Sequence, residues 1–261
     1  MPDRLAIRSF FAVSRRAFQV RRLACLFTVL VAASQFASAQ APQLPQARFV
    51  VVLDAAHGGE DPGGRLANGQ PEKAITLALS VRLRSLLAAR GISVVATRES
   101  DANVEPNRRA EIANHAQAQA FLSLHVSESG SGVHLFASSL PPALHPGDKD
   151  PSLGTPVQPA RFTAWKTAQA AWVTRSLALA GVLNSALLHT GMSVTLGRAA
   201  LPAVDSMTCP AVAIEIAPER DSSQSVKAGL DDPGYQARVA EALAAALVEW
   251  RSDWGSGAHQ R

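Results

Sequence analysis

The chain has 261 residues, 47% hydrophobic and 18% charged, which fits one sizeable folded core and excludes a disordered or fibrous chain. Its formal charge is +4, but six of the basic residues (Arg4, Arg8, Arg15, Arg16, Arg21 and Arg22) precede residue 40. Without them the chain is close to neutral, and with an aromatic content of 5% it makes no case for nucleic-acid binding.

Residues 1–39 carry the three parts of a secretory signal: an Arg-rich start, an apolar run from Leu23 to about Ala33, and Ala37-Ser38-Ala39 ahead of Gln40, with cleavage expected after Ala39. The run is short for a bilayer, so no stable membrane span is expected after cleavage, a retained anchor being the weaker alternative. Ser14 to Val20, SRRAFQV, resembles the twin-arginine export motif; an Arg-rich Sec leader is the other reading. Either makes the protein exported, periplasmic or secreted. Cys25 lies in the leader, and Arg22 stands where a lipoprotein signal has Leu or a similar residue. Cys209 is then alone in the mature chain, so no intramolecular disulfide is expected, and it reads as a small buried residue.

After a connector at 40–47, Phe49–Asp54 is an apolar run of strand length followed by a Gly-rich loop. Glu72–Arg90 has helical spacing (Ile75, Leu79, Leu83, Leu86, Leu87) and stops at Gly91, a fitting cap. A strand is expected at Ile92–Ala96, a helix at Pro106–Ala116, and strands at Ala120–His125 and Gly132–Ala137. Residues 138–164 hold six prolines and little periodicity, which predicts a long surface loop or lid placed after a strand of the site. A helix-rich stretch at 165–189, a short strand at Val194–Leu196, a last strand at Ala211–Ile216 and a closing helix at 234–250 complete the catalytic domain, 48–254, before a flexible tail at 255–261. Strands alternating with helices predict an α/β fold, a single-domain sandwich with a mostly parallel sheet flanked by helices.

His57, Glu72, His125 and Glu215 each stand where an apolar strand or helix meets a loop. In open α/β sheets ligands bind beyond the carboxyl ends of the strands, so the four can converge on one edge. Two imidazoles and one carboxylate suit a catalytic Zn2+ with a fourth position open for water. Glu215, between Ile214 and Ile216, suits a proton shuttle, since an idle charge in an apolar strand is costly. Asp54 either orients His57 or caps the Gly-rich loop. His134 alternates with Val133 and Leu135 near the site and is a candidate substrate contact, as is Arg98; Arg98, Arg109 and Asn114 read more readily as structural groups. His115, His145, His189 and His259 read as surface residues, and Cys209 reads as a buried residue more readily than as a nucleophile. No GxxxxGK loop or Ser-His-Asp spacing is present.

VVLDAAHGGEDPGG resembles the first motif of the zinc-dependent N-acetylmuramoyl-L-alanine amidases, bacterial cell-wall hydrolases, and PEKAITLALSVRLRSLLAARG resembles their second. FLSLHVSESGSGVHLF and CPAVAIEIAPE are similar to the third motif and to the strand bearing the catalytic glutamate. The likeness runs in order from about residue 49 to 250. It implies His57, Glu72 and His125 as zinc ligands, Glu215 as acid/base, and peptidoglycan or muropeptides as substrate, cleaved between N-acetylmuramic acid and L-alanine. The resemblance leaves open a requirement for an activator protein. Ala56 departs from the usual glycine, and Val126-Ser127-Glu128 from the usual pattern after the second histidine. Two alternatives stand beside it: a zinc peptidase or amidohydrolase acting on another amide, and an inactive relative that only binds cell wall.

Overall fold

The apolar runs read as strands align into one six-stranded sheet. The structure, a computed structural model, describes residues 48–143 and 164–255; the leader and its cleavage site, the connector, residues 144–163 of the Pro-rich stretch and the tail beyond Gly255 lie outside the described residues. The strands are β1 (Val50–Ala55), β2 (Ser93–Ala96), β3 (Ala120–Val126), β4 (Val133–Ser138), β5 (Val194–Ala199) and β6 (Ala211–Ile216), in the order β2-β1-β3-β6-β4-β5. Every neighbouring pair is parallel except β4 with β6. β5 is longer than its apolar signal, and a small hairpin, β7 (Glu219–Arg220) with β8 (Val226–Ala228), follows the strand expected to be last.

The helices are α1 (Glu72–Ala89), α2 (Pro106–His115), α3 (Val173–His189), α4 (Pro202–Asp205) and α5 (Pro233–Gly255), with a 3-10 helix at Trp165–Ala171 ahead of α3. Ile75, Leu79, Leu83 and Leu87 of α1 join Leu179, Leu183 and Leu187 of α3 and the apolar stripe of α5 in the larger core on one face of the sheet. Burial of such side chains, about 1.5–3 kcal/mol each, is the main favourable term. The opposite face carries a smaller core, where Val52 and Phe121 meet Ala110 and Ala113 of α2 and Val204 of α4. β1 and β3 are buried almost throughout because both faces are covered. α1 stops because Gly91 adopts φ +71°, a left-handed turn that L side chains resist. Among the described residues no single helix is long and apolar enough to cross a membrane.

The loop after β1 is fastened from beneath by two buried arginines. Arg109, on α2, donates through Nη1 to Asp54 Oδ1 and to Ala55 O (2.8 Å), and through Nη2 to His57 O (2.9 Å). Arg98 donates to Ala55 O (2.9 Å), Ala56 O (3.0 Å) and Lys73 O (2.8 Å). Asp54 also accepts from Thr97 Oγ1 (2.6 Å) and Ser123 Oγ (2.7 Å), so this 2%-exposed carboxylate is fully engaged. A buried ion pair is costly to break from one side, because the remaining charge has no water to turn to. Arg109→Ala is therefore expected to lower the unfolding free energy by about 3–5 kcal/mol in denaturant titrations. The double change Asp54→Leu/Arg109→Leu should recover part of that loss; a single-mutant loss no larger than a surface substitution's would overturn the account.

Candidate metal centre and its two clefts

β1, β3 and β6 end at the same edge of the sheet, and the three side chains that follow from this meet there. His57 lies two residues beyond β1, His125 is the penultimate residue of β3, and Glu72 is the first residue of α1. One ligand-type atom from each of the three lies within 4.8 Å of the others. Glu72 Oε2 is 3.1 Å from His57 Nε2, and Glu72 Oε1 is 3.1 Å from His125 Nδ1. The two imidazoles meet edge to face, with centroids 5.3 Å apart.

His57 has φ +61°, a left-handed conformation uncommon for a residue with a side chain. Such strain persists only where the surroundings over-determine it, and here the arginines hold the carbonyls of residues 55–57 while Gly58 and Asp61 exchange backbone hydrogen bonds. Ala56 fits where glycine is usual, because it does not share the left-handed backbone and its N–H donates to Leu124 O at 3.1 Å. Gly63 is required by space: a Cβ there would lie 2.6 Å from His57 Cδ2 and 2.7 Å from Glu72 Oε2.

Burial opposes ionisation of the Glu72 carboxyl, but hydrogen bonds from His125, His57 and the Gly64 N–H (2.8 Å) outweigh it and hold the group well below the usual carboxylate range. The Val126 N–H adds a further bond at 3.1 Å. The Glu72 hydrogen bond raises the His57 pKa against the effect of burial, with Asp61 adding to the rise. Two imidazoles and a carboxylate are the donor set zinc takes in hydrolytic sites. Ligand atoms at tetrahedral positions on zinc stand roughly 3.4 Å apart, close to the spacings seen here, so the residues fit the ion.

His57 is oriented by Asp61, whose Oδ2 lies 2.7 Å from Nδ1, and not by Asp54, which is spent on Arg109, Thr97 and Ser123. The signal for Asp61 was a carboxylate one helical turn after a histidine in a loop, which spacing alone does not separate from a solvated charge. Glu215 is opposite His125 in the β3–β6 register and opposite His134 in the β4–β6 register, so the three share a face. His134 lines neither cleft at the site, and its Nε2 is buried without a hydrogen-bond partner among the described residues. Arg98, expected as a substrate contact or a structural group, is buried under the β1 loop with its guanidinium hydrogen-bonded to backbone carbonyls. Asn114 is likewise structural, bonding Ser206 O and Thr208 N. His115 and His189 are exposed, whereas His145 and His259 lie outside the described residues. Cys209 is 1% exposed and burial pushes its thiol pKa up to about 12, which removes it as a nucleophile.

Two clefts adjoin the centre, and His125 lines both. The larger, 670 Å³, runs over the α2–α4 side past His57 and is walled by Val104, Pro106, Leu201 and Pro202. The smaller, 360 Å³, lies between the loops at 64–66 and 126–129 and is lined by Glu72 and Glu215.

The Amidase_3 family model, described as N-acetylmuramoyl-L-alanine amidase, matches residues 51–249. A sporulation-specific N-acetylmuramoyl-L-alanine amidase of Bacillus subtilis is 40% identical over 82 residues, 31% of this chain and 32% of that protein, so the match spans about a third of the relative's length. The catalytic domain of CwlV, an N-acetylmuramoyl-L-alanine amidase from Bacillus (Paenibacillus) polymyxa var. colistinus, superposes with a TM-score of 0.57 at 23% identity, covering 78% of this chain and 98% of that one. The CwlD amidase of Clostridioides difficile, solved in complex with the GerS lipoprotein, gives 0.54 at 19% identity, covering 78% and 99%. At those identities the structures share the fold, and the family match over most of the chain shows the rest: this protein belongs to the Amidase_3 family of N-acetylmuramoyl-L-alanine amidases.

Proposed function

We propose that the chain is an exported, zinc-dependent peptidoglycan amidase that hydrolyses the amide between N-acetylmuramic acid and L-alanine. The observation that carries this reading is the convergence of His57, Glu72 and His125 within 4.8 Å at the sheet edge, with Glu215 beside His125 in the register. Family membership supports the peptidoglycan substrate, and the leader at 1–39 supports export. An activator protein is a further proposed partner, by analogy with the lipoprotein complex of the CwlD amidase.

Under this reading His57, Glu72 and His125 hold zinc, with Asp61 fixing the tautomer and orientation of His57. Bound zinc supplies Lewis acidity and lowers the pKa of water to about 7. Glu215 takes the proton of the attacking water and returns it to the leaving amide nitrogen, so one carboxylate serves as base and then acid. Glu72, assigned here to the metal, is not available for that task.

Glu215→Gln is expected to keep the metal and lose turnover by about 10²–10⁴-fold, read as zinc content by mass and free stem peptide released from muropeptides. Unchanged turnover would remove Glu215 from the reaction, and zinc retained without cleavage by the parent would point to another amide or a missing activator. Zinc affinity should also depend on pH with a definite sign. The metal-free protein holds the His57 proton above the ordinary 6.5. Its stabilising effect is full below that value and fades as the pH rises through the raised pKa, where the ring becomes free for metal. Affinity measured against a competing chelator should begin to weaken on acidification while the pH is still above 6.5. The onset should move lower in Asp61→Asn; an onset that does not move would show that Asp61 does not tune the ring.

A further inference from the structure

The two clefts are not equivalent toward the scissile amide. If Glu215 returns the proton to the leaving nitrogen, that nitrogen must come within hydrogen-bond reach of its carboxylate. Glu215 lines the smaller cleft and not the larger. The acyl half of the substrate, the muramic sugar, then falls on the side of the larger cleft.

The arginines around the centre differ in what they have left to give. A guanidinium has five N–H donors. Arg98 and Arg109 spend theirs on backbone carbonyls and Asp54. Arg220 makes one hydrogen bond from each of its three nitrogens, to the Gly130, Gln224 and Glu128 carbonyls. Arg65 is exposed at the rim of the smaller cleft, and among the described residues its guanidinium makes one hydrogen bond, Nη1 to Gly69 O at 3.2 Å. The other charged groups lining that cleft, Glu72, Glu128 and Glu215, are acidic. Glu128 is held as a strut, accepting the Ala67 N–H at 3.0 Å and so tying the two walls together. Apart from the metal assigned to His57, Glu72 and His125, a carboxylate entering this cleft meets one lining guanidinium, and that group has free donors.

We propose that the leaving stem peptide occupies the smaller cleft and that Arg65 is a specificity residue, binding a free carboxylate on the peptide beyond the alanine. The inference rests on the proton-return role assigned to Glu215. It selects peptides with an acidic second residue over the same peptides amidated at that position, because the bidentate carboxylate contact of arginine is lost on the amide.

The test compares two soluble muramyl peptides, identical except for a carboxylate or a carboxamide on the second residue, with the zinc-loaded parent and Arg65→Gln. The parent should favour the acid about tenfold in kcat/KM, and Arg65→Gln should erase the preference by raising KM for the acid alone, with kcat within about twofold. Calorimetric binding of the free product, an alanyl dipeptide with an acidic second residue, should weaken about tenfold in the variant while its amidated form is unaffected. A parent indifferent to amidation, or a variant that loses both substrates equally, would overturn the proposal and leave Arg65 a tether of the 64–71 loop. If the parent cleaves neither substrate, the failure lies with the amide assigned or a missing activator, and the binding measurement still decides whether Arg65 takes a carboxylate.

Discussion

The site depends on a grip of two buried arginines on three consecutive backbone carbonyls. Strand β1 ends at Ala55, and the next two residues must leave the sheet, turn and present an imidazole from a left-handed backbone. Nothing in a Gly-rich loop would hold that conformation by itself. Arg98 and Arg109 do so by taking the carbonyls of Ala55, Ala56 and His57, and Asp54 neutralises Arg109 inside the smaller core. A charged cluster of this kind gains little net stability over apolar packing, since desolvation consumes most of its Coulomb energy. Its return is geometric: the histidine cannot relax without stranding charge.

The same economy runs through the neighbouring loops. Glu72 is placed by the start of α1, kept charged by two imidazoles, and bonded by N–H groups of Gly64 and Val126 that belong to opposite walls of the smaller cleft. Glu128 repeats the connection further out. Preorganised donors and acceptors of this sort need no rearrangement when charge develops in a reaction. The metal-ligand candidates are therefore fixed by elements that also shape the space on either side of them.

Much of this was legible in the sequence, for physical reasons that differ by residue. The runs at 49–54, 120–125 and 211–216 announce buried strands because both of their faces are covered, and the helical spacing of Ile75 to Leu87 announces a core-facing helix because one stripe must be apolar. His57, Glu72, His125 and Glu215 stood out as polar residues at the ends of such segments. Strand pairing was not legible: nothing local in Val133–Ser138 says that β4 runs against β6, because pairing is settled by tertiary packing. The β7–β8 hairpin escaped because Glu219 and Arg220 carry no apolar alternation. Asp61 and Arg65 look alike in sequence, as charges in a polar loop; only the fold separates the one that grips a histidine from the one facing open space.

The reversal of β4 has its own consequence. Its first residues lie beside Glu215 and Ile216 at the edge bearing the histidines, so its last, Ser138, lies at the opposite edge beside Ala199. A six-residue strand covers roughly 17–20 Å. The chain that follows β4 therefore leaves the sheet roughly one strand length from the candidate ligands. Where the chain is next described, Trp165 Nε1 donates to Asn107 Oδ1 at 3.3 Å, so it resumes against the helix that walls the larger cleft through Pro106.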